Sequence, residues 1–347
     1  MSVTSQAVPS APPLAWSISF RVLLALYLII PACVLLQWCD VGVWAGYLKT
    51  HLPSSPNHFL LFQILFGTPH IIASAIILVS NAEYRQQYRR HVGGLTLVLL
   101  VVFGLGSLFI PYRVFYVFVA AWTVFHVLKQ QHGLARGVCK LPTWAFYLLL
   151  GLSVMTGLVV YIGIFLKNSL GVQETEWLKH VAGSGCVALF CTGLLCQRLL
   201  NTALGKWFLW ANILLVISSF YFYVQDYYFF AILVPRLVHD VTAYIFYVTH
   251  DHNKHALQPK NTLYQWANAL HIPIILVLPV LSFALAFVLQ AYGDTLVTLA
   301  MRYLFDVQLN KAVTLGVLGY LALLHYYSEA LTWRQGSPYR QFIAFTK

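Results

Sequence analysis

Histidine is the residue type that points most directly to chemistry in this sequence. The chain has 347 residues and carries thirteen histidines against ten acidic residues. The densest stretch, Pro235 to His255, reads PRLVHDVTAYIFYVTHDHNKH and holds His239, Asp240, His250, Asp251, His252 and His255. Neutral imidazoles ligate transition metals and haem and relay protons near neutral pH. A neighbouring carboxylate adds a ligand or orients a ring through its second nitrogen. Elsewhere His70, His126, His271 and His325 stand singly in apolar runs. Gln130 follows His126 by four residues and Glu329 follows His325 by four, so each pair shares a helical face.

The elements that must position these side chains follow from composition. The chain is 60% hydrophobic and 9% charged, against roughly 25% charged residues in an ordinary soluble domain. That predicts an all-α, polytopic transmembrane helical bundle forming a single integral membrane domain over 1–347. Residues 1–16 form a polar N-terminal segment and 331–347 a cytoplasmic tail. Stretches long enough to cross about 30 Å as helices fall near 17–39, 58–80, 92–110, 112–131, 143–166, 177–197, 207–225, 228–250, 263–290 and 310–330, about ten spans. The tight break at Ile110, Pro111 and Tyr112 makes the third and fourth an antiparallel hairpin. Asp294 to Asn310, with Arg302 and Asp306 on an apolar pattern, reads as a helix lying on the membrane surface.

The net charge of +11 raises nucleic acid as a partner, but Lys and Arg fall in short loops between apolar runs, where they set topology. No nucleic-acid role follows. Fourteen of them, including Arg85, Arg89, Arg90, Lys129, Arg136, Lys254, Lys260, Arg334, Arg340 and Lys347, fall on one side and six on the other. The positive-inside rule then places both termini in the cytoplasm, with Arg236 left within the membrane. A bacterial cytoplasmic (inner) membrane is the expected location. The N-terminus lacks a basic segment before its first apolar run, which argues against a cleaved signal peptide. Six cysteines without CxxC spacing give no disulfide framework or zinc knuckle. There is no internal repeat of the kind that builds many transporters.

At 1.5 Å per residue the topology gives each histidine a depth. His51, His58, His91 and His180 fall in loops or at interfaces. His70 and His239 lie near the middle of their spans, and His126, His271 and His325 toward the inner face. Five helices thus each bring one histidine to the middle or inner half of the membrane, where ionisable groups imply partners or a task. Asp240, beside His239 but on another face, can orient a second helix's imidazole, and Arg236 is a partner for Asp240 or Glu329. A second tier at the cytoplasmic edge comprises His132, His250, Asp251, His252 and His255, with chelating separations of three and four residues. His239 and His250 are eleven residues apart on one face and about 16 Å distant, so they cannot share an ion on a straight helix.

Several imidazoles with one or two carboxylates suit iron, zinc or copper, and the lack of a cysteine cluster disfavours an iron–sulfur site. Non-haem iron with open positions would oxidise a lipid-soluble substrate. Histidines on facing spans would instead hold haem, and the same side chains could serve a proton-coupled transporter. Aromatic residues around the eighth span, from Tyr221 to Tyr247, either line a substrate pocket or form an interfacial belt.

GTPH at Gly67 to His70, FH at Phe125 and His126, and PRLVH at Pro235 to His239 together resemble the bacterial membrane carotene-cleaving dioxygenases of the Brp/Blh type. That family is all-helical, membrane-embedded and uses histidine-held non-haem iron to split β-carotene with oxygen. The resemblance implies iron-ligand roles for His70, His126 and His239. The family's final histidine pair beside Pro-Arg has no counterpart here. The membrane fatty-acid desaturases and hydroxylases are similar in placing a di-iron site at the cytoplasmic face, but their HxxxH and HxxHH boxes are missing. The expectation is therefore an iron-dependent oxygenase or other oxidoreductase, with a redox partner the sequence does not name. His70, His126, His239, His271 and His325 are its expected ligands, with His132, His250, His252 and His255 a second group. Glu329, Asp240 and Arg236 are its reactive or orienting polar residues.

Overall fold

The structure is a computed structural model that describes residues 16–346 apart from 258, 260, 310 and 335. Most of the polar segment 1–16, together with Lys260, Asn310 and Lys347, therefore lies outside the described residues. In lipid every backbone N–H and C=O must find a partner inside the protein, and helices meet that demand within one segment. The apolar runs accordingly form helices, eight of which are long and apolar enough to cross a membrane. In chain order they are α1 (Phe20–Gly42), α2 (Leu60–Ser80), α3 (Ala82–Leu105), α5 (Thr143–Phe165), α6 (Val172–Gln197), α7 (Ala203–Val224), α8 (Tyr228–His255) and α10 (Ile274–Phe305). Two further segments expected to span are helical as well: α4 (Tyr112–Cys139) and α11 (Leu318–Thr332), the latter entered through a π-turn at Ala312–Val317. Their C-terminal halves carry Lys129, Gln130, Gln131 and His132, and His325 and Glu329, polar side chains that lower their hydropathy.

Helix α8 is the axis of the molecule and the most buried of the eight. It packs against α7, α2, α10 and α4. Pro235 sits inside it without breaking it. Proline lacks the N–H that would bond the carbonyl four residues back, and the Ser219 hydroxyl of α7 donates to that Ala231 carbonyl at 2.5 Å. A serine on the neighbouring helix thus restores the bond that proline removes. The hairpin between α3 and α4 turns at Pro111 as expected, with Phe103 and Phe115 packed across it at 5.2 Å.

Two expectations are corrected. The ninth segment does not run from 263 to 290. It divides into a short helix, α9 (Thr262–Ala269), and α10, because Pro273 disfavours helical backbone before it and His271 turns left-handed at φ +56°. The amphipathic stretch from Asp294 is helical through Phe305 but is not a separate surface helix. It continues α10 directly through a π-turn at Leu289–Gly293. Residues near the C-terminus are packed onto the bundle. Strand β2 (Ala344–Thr346) pairs in parallel with β1 (Ser17–Ser19), which ties these two segments together. Tyr339, Phe342 and Ile343 are buried there, and the Asn253 amide of α8 bonds both Trp16 and the Phe342 carbonyl.

Candidate metal centre

Four helices bring one histidine each to a common point: His70 from α2, His126 from α4, His239 from α8 and His325 from α11. All four rings are buried. Ring centroids are 4.8 Å apart for His126 and His239, 4.9 Å for His70 and His325, 5.0 Å for His126 and His325, and 5.5 Å for His70 and His239. Two overlapping sets, His70/His239/His325 and His126/His325/Glu329, each offer three ligand atoms within 4.8 Å of one another, an arrangement that could hold an ion.

The outer nitrogens have partners. His70 Nδ1 lies 3.1 Å from the Phe66 carbonyl, where a π-turn at Gln63–Gly67 precedes Pro69. His239 Nδ1 donates to Gln130 Oε1 at 2.6 Å. His325 Nδ1 lies between Ser74 Oγ at 3.1 Å and the Tyr247 hydroxyl at 3.2 Å. A proton on each of these three Nδ1 atoms leaves the Nε2 lone pair free. Nε2 of His126, His239 and His325 are buried with no hydrogen-bond partner. Three unpaired nitrogens at one buried point would be costly unless something else binds them.

Glu329 completes the donor set. Its Oε1 accepts from Gln130 Nε2 at 3.1 Å and from the Tyr247 hydroxyl at 2.9 Å. Its Oε2 lies 3.1 Å from His126 Nε2, with no hydrogen bond between them. Two ligand atoms bound at right angles to one ion at about 2.0–2.2 Å would be roughly 3 Å apart. The donor set, four imidazoles and a carboxylate oriented by polar neighbours, therefore fits a transition-metal ion.

Asp240 lies beside the Nε2 of His70 without hydrogen bonding to it, while the Phe66 carbonyl partners the ring's Nδ1. Its Oδ1 is 3.6 Å from His70 Nε2, and its Oδ2 is 3.4 Å from Arg236 Nε, one turn earlier on α8. Arg236 thus partners Asp240 and not Glu329.

The structure separates the other expected ligands from this point. His271 is exposed in the loop between α9 and α10, because its segment breaks at Pro273. The edge tier does not converge either. His132 Nε2 bonds Ser153 Oγ at 2.9 Å. His250 Nε2 bonds the Tyr84 hydroxyl at 2.8 Å, and its ring stacks on Tyr339 at 4.0 Å. His252 lies against Trp16, and His255 stacks on Tyr264, whose hydroxyl bonds Asp251. Each ring has its own partner, so helical spacing alone did not bring these histidines together. His51, His58, His91 and His180 are exposed, as their loop positions implied.

Sequence reasoning missed Ser74 and Tyr326, whose ring stacks on His126 at 4.4 Å, and named Tyr247 only among the aromatic residues around the eighth span. The signal was present for two of them. Ser74 lies four residues after His70 and Tyr247 eight after His239, on the same helical faces. The aromatic residues around α8 do not line the adjoining cavity. Most are packed in the core, Phe222, Tyr223, Phe230 and Phe246 among them. The cavity, about 670 Å³, opens beside His126 and Glu329 and is walled by Trp122, Phe125, Phe146, Tyr326 and Trp333. Comparison of the chain with family models, with curated proteins and with solved structures finds no match.

Proposed function

We propose that this chain is an integral membrane metalloenzyme whose histidine-held non-haem iron serves an oxygenase or oxidase acting on a lipid-soluble substrate. The observation that carries the reading is the convergence of four buried imidazoles from four helices, three with unpaired Nε2 atoms, beside Glu329. Bound iron would supply oxygen activation and one-electron chemistry there. The chain's own residues supply the rest. Gln130 holds His239 and Glu329 in register, Tyr247 bridges Glu329 and His325, and the Phe66 carbonyl holds His70, with Asp240 and Arg236 beside its Nε2. The adjoining cavity, with His126 and Glu329 in its lining, would give a substrate access to the ion.

Haem takes its protein ligands at two axial positions, and a cluster of four imidazoles with a carboxylate offers more donors than that, which favours a non-haem ion over haem. The carotene-cleaving dioxygenases remain the family whose short motifs resemble those at His70, His126 and His239. We place both chain ends in the cytoplasm, with the ten helical segments spanning a bacterial inner membrane, because Lys and Arg gather on that side.

Elemental analysis and an optical spectrum of detergent-purified protein test this directly. One or two irons per chain without a Soret band support it. His239→Ala is expected to lose bound iron, and a variant retaining full stoichiometry would remove His239 from the ligand set. A second reading, proton-coupled transport through the same groups, has one observation on its side. Tyr247 links Glu329 toward the stacked Tyr339 and His250, and His250 reaches Tyr84 and the Lys254–Glu83 pair. Protein without metal after chelator-free purification would favour that reading.

A further inference from the structure

The cavity beside the candidate metal centre has a buried polar floor and a basic mouth. His126, Gln130 and Glu329 form the floor, while Lys129 and Arg334 are exposed at the mouth and Arg340 is half-buried there. Among the described residues, Glu329 is the only carboxylate lining it. Among the described residues none of the three cations forms an ion pair. The Lys129 ammonium and the Arg340 guanidinium lie over the Phe125 and Phe345 rings, at 5.1 and 4.8 Å. Such contacts at exposed sites hold weakly, and both heads remain available to an anion. Several cations beside low-dielectric aromatic walls focus a field that draws negative charge.

The α4 face that lines the cavity is kept low by Gly133 and Gly137, one turn apart. A Cβ at either would meet nothing within 4 Å, so these glycines border open space. The volume, about 670 Å³, falls within the roughly 300–1,000 Å³ of cavities that enclose one small molecule. A bare anion would leave the aromatic walls unfilled, and a neutral hydrocarbon would gain nothing from the cations.

We propose that this cavity binds a single-chain amphiphile with an anionic head, a carboxylate or a phosphate, held at Lys129, Arg334 and Arg340, with its tail running along the aromatic wall to His126 and Glu329. This deepens the proposed function by giving the substrate a class, and it rests on that reading only for what happens to the tail. Binding itself needs no metal.

The test is saturation binding of radiolabelled palmitate to the full-length protein in detergent, with metal content measured on the same samples. One saturable site per chain is expected. Hexadecyl phosphate should also compete, and the tighter of the two acids names the head group. Methyl palmitate and inorganic phosphate should compete at least about tenfold more weakly, as expected when a charge-assisted bond or the tail is missing. The Lys129→Gln/Arg340→Gln double variant should weaken binding by about tenfold or more. Gly133→Phe should abolish it by filling the cavity. Both variants should keep wild-type metal content.

Equal competition by methyl palmitate would overturn the proposal in favour of a neutral-lipid pocket, and equal competition by inorganic phosphate in favour of a simple anion site. Undiminished binding in the double variant would leave these cations as topology charges alone. Palmitate binding by a protein that holds no metal would fail the proposed function and leave this inference standing. Metal without palmitate binding would do the reverse.

Discussion

Gln130 is the residue on which most of the site's order depends. Its carbonyl accepts from His239 Nδ1 at 2.6 Å and its amide donates to Glu329 Oε1 at 3.1 Å. One planar group thereby fixes the orientation of two expected ligands on different helices. Removing such a partner typically lowers metal affinity about 10- to 100-fold. Gln130→Leu should therefore weaken iron binding by that factor, read by competition with a chelator of known affinity, and unchanged affinity would show that Gln130 does not orient the ligands. His271→Ala serves as the control and should leave metal content at the wild-type level, since His271 is exposed on a loop. Both histidines stand in apolar sequence, and their types alone did not distinguish them. His239 lies on an unbroken helix, whereas His271 lies two residues before a proline that ends one.

Among the elements, α8 shows how a helix with a proline and several ionisable groups stays continuous. Each departure from regularity is met from a neighbour: Ser219 for the carbonyl that Pro235 frees, Gln130 for His239, and Tyr84 and Glu83 for Lys254. The C-terminal end of α1 is tied by a comparable device. Asp40 is fully buried and accepts from the Leu48 N–H at 2.8 Å, the Lys49 N–H at 3.1 Å and the Tyr227 hydroxyl at 2.8 Å. It joins the end of α1, the turn after it and the α7–α8 connection. Burial and the bond to the Asp40 carboxylate push the Tyr227 hydroxyl up to about 12, so Tyr227 remains the donor across the neutral range. Asp40→Ala breaks three bonds to a charged group and should destabilise the fold by about 2–3 kcal/mol or more. Thermal unfolding in detergent would measure the loss, and an unshifted midpoint would refute the role. Metal content should stay unchanged, because Asp40 is not part of the histidine cluster.

For the whole molecule, the candidate metal centre joins α2, α4, α8 and α11, segments far apart in sequence. An ion that binds only the folded protein stabilises it by mass action, about 4 kcal/mol at a thousandfold excess over its dissociation constant. Stripping metal with a strong chelator should therefore lower the unfolding midpoint of the wild type, and adding Fe(II) should restore it. His239→Ala should show a smaller drop or none on chelation. A wild type that melts identically with and without chelator would argue that the four histidines do not hold an ion in the folded state. The joined segments near the two termini are a second long-range link. β1 and β2 pair beside α8, so the residues expected as a tail help close the fold around His250.

The sequence by itself determined that the chain is helical and built from segments suited to a membrane, because apolar runs of that length have no other way to satisfy their backbones in lipid. It also singled out His70, His126, His239, His271 and His325, since an ionisable side chain in an apolar run is rare enough to mark itself, and four of these five meet. The tertiary structure alone decided which rings meet. Helical periodicity places side chains on a face of their own helix and says nothing of which helix lies opposite. His250 and His255, well spaced on the same helix as His239, therefore went to tyrosines, and Glu329 and Gln130 reached the histidine cluster. The break before Pro273 was legible as local chemistry, and its consequence for His271 was not, because a residue's depth depends on where its helix begins.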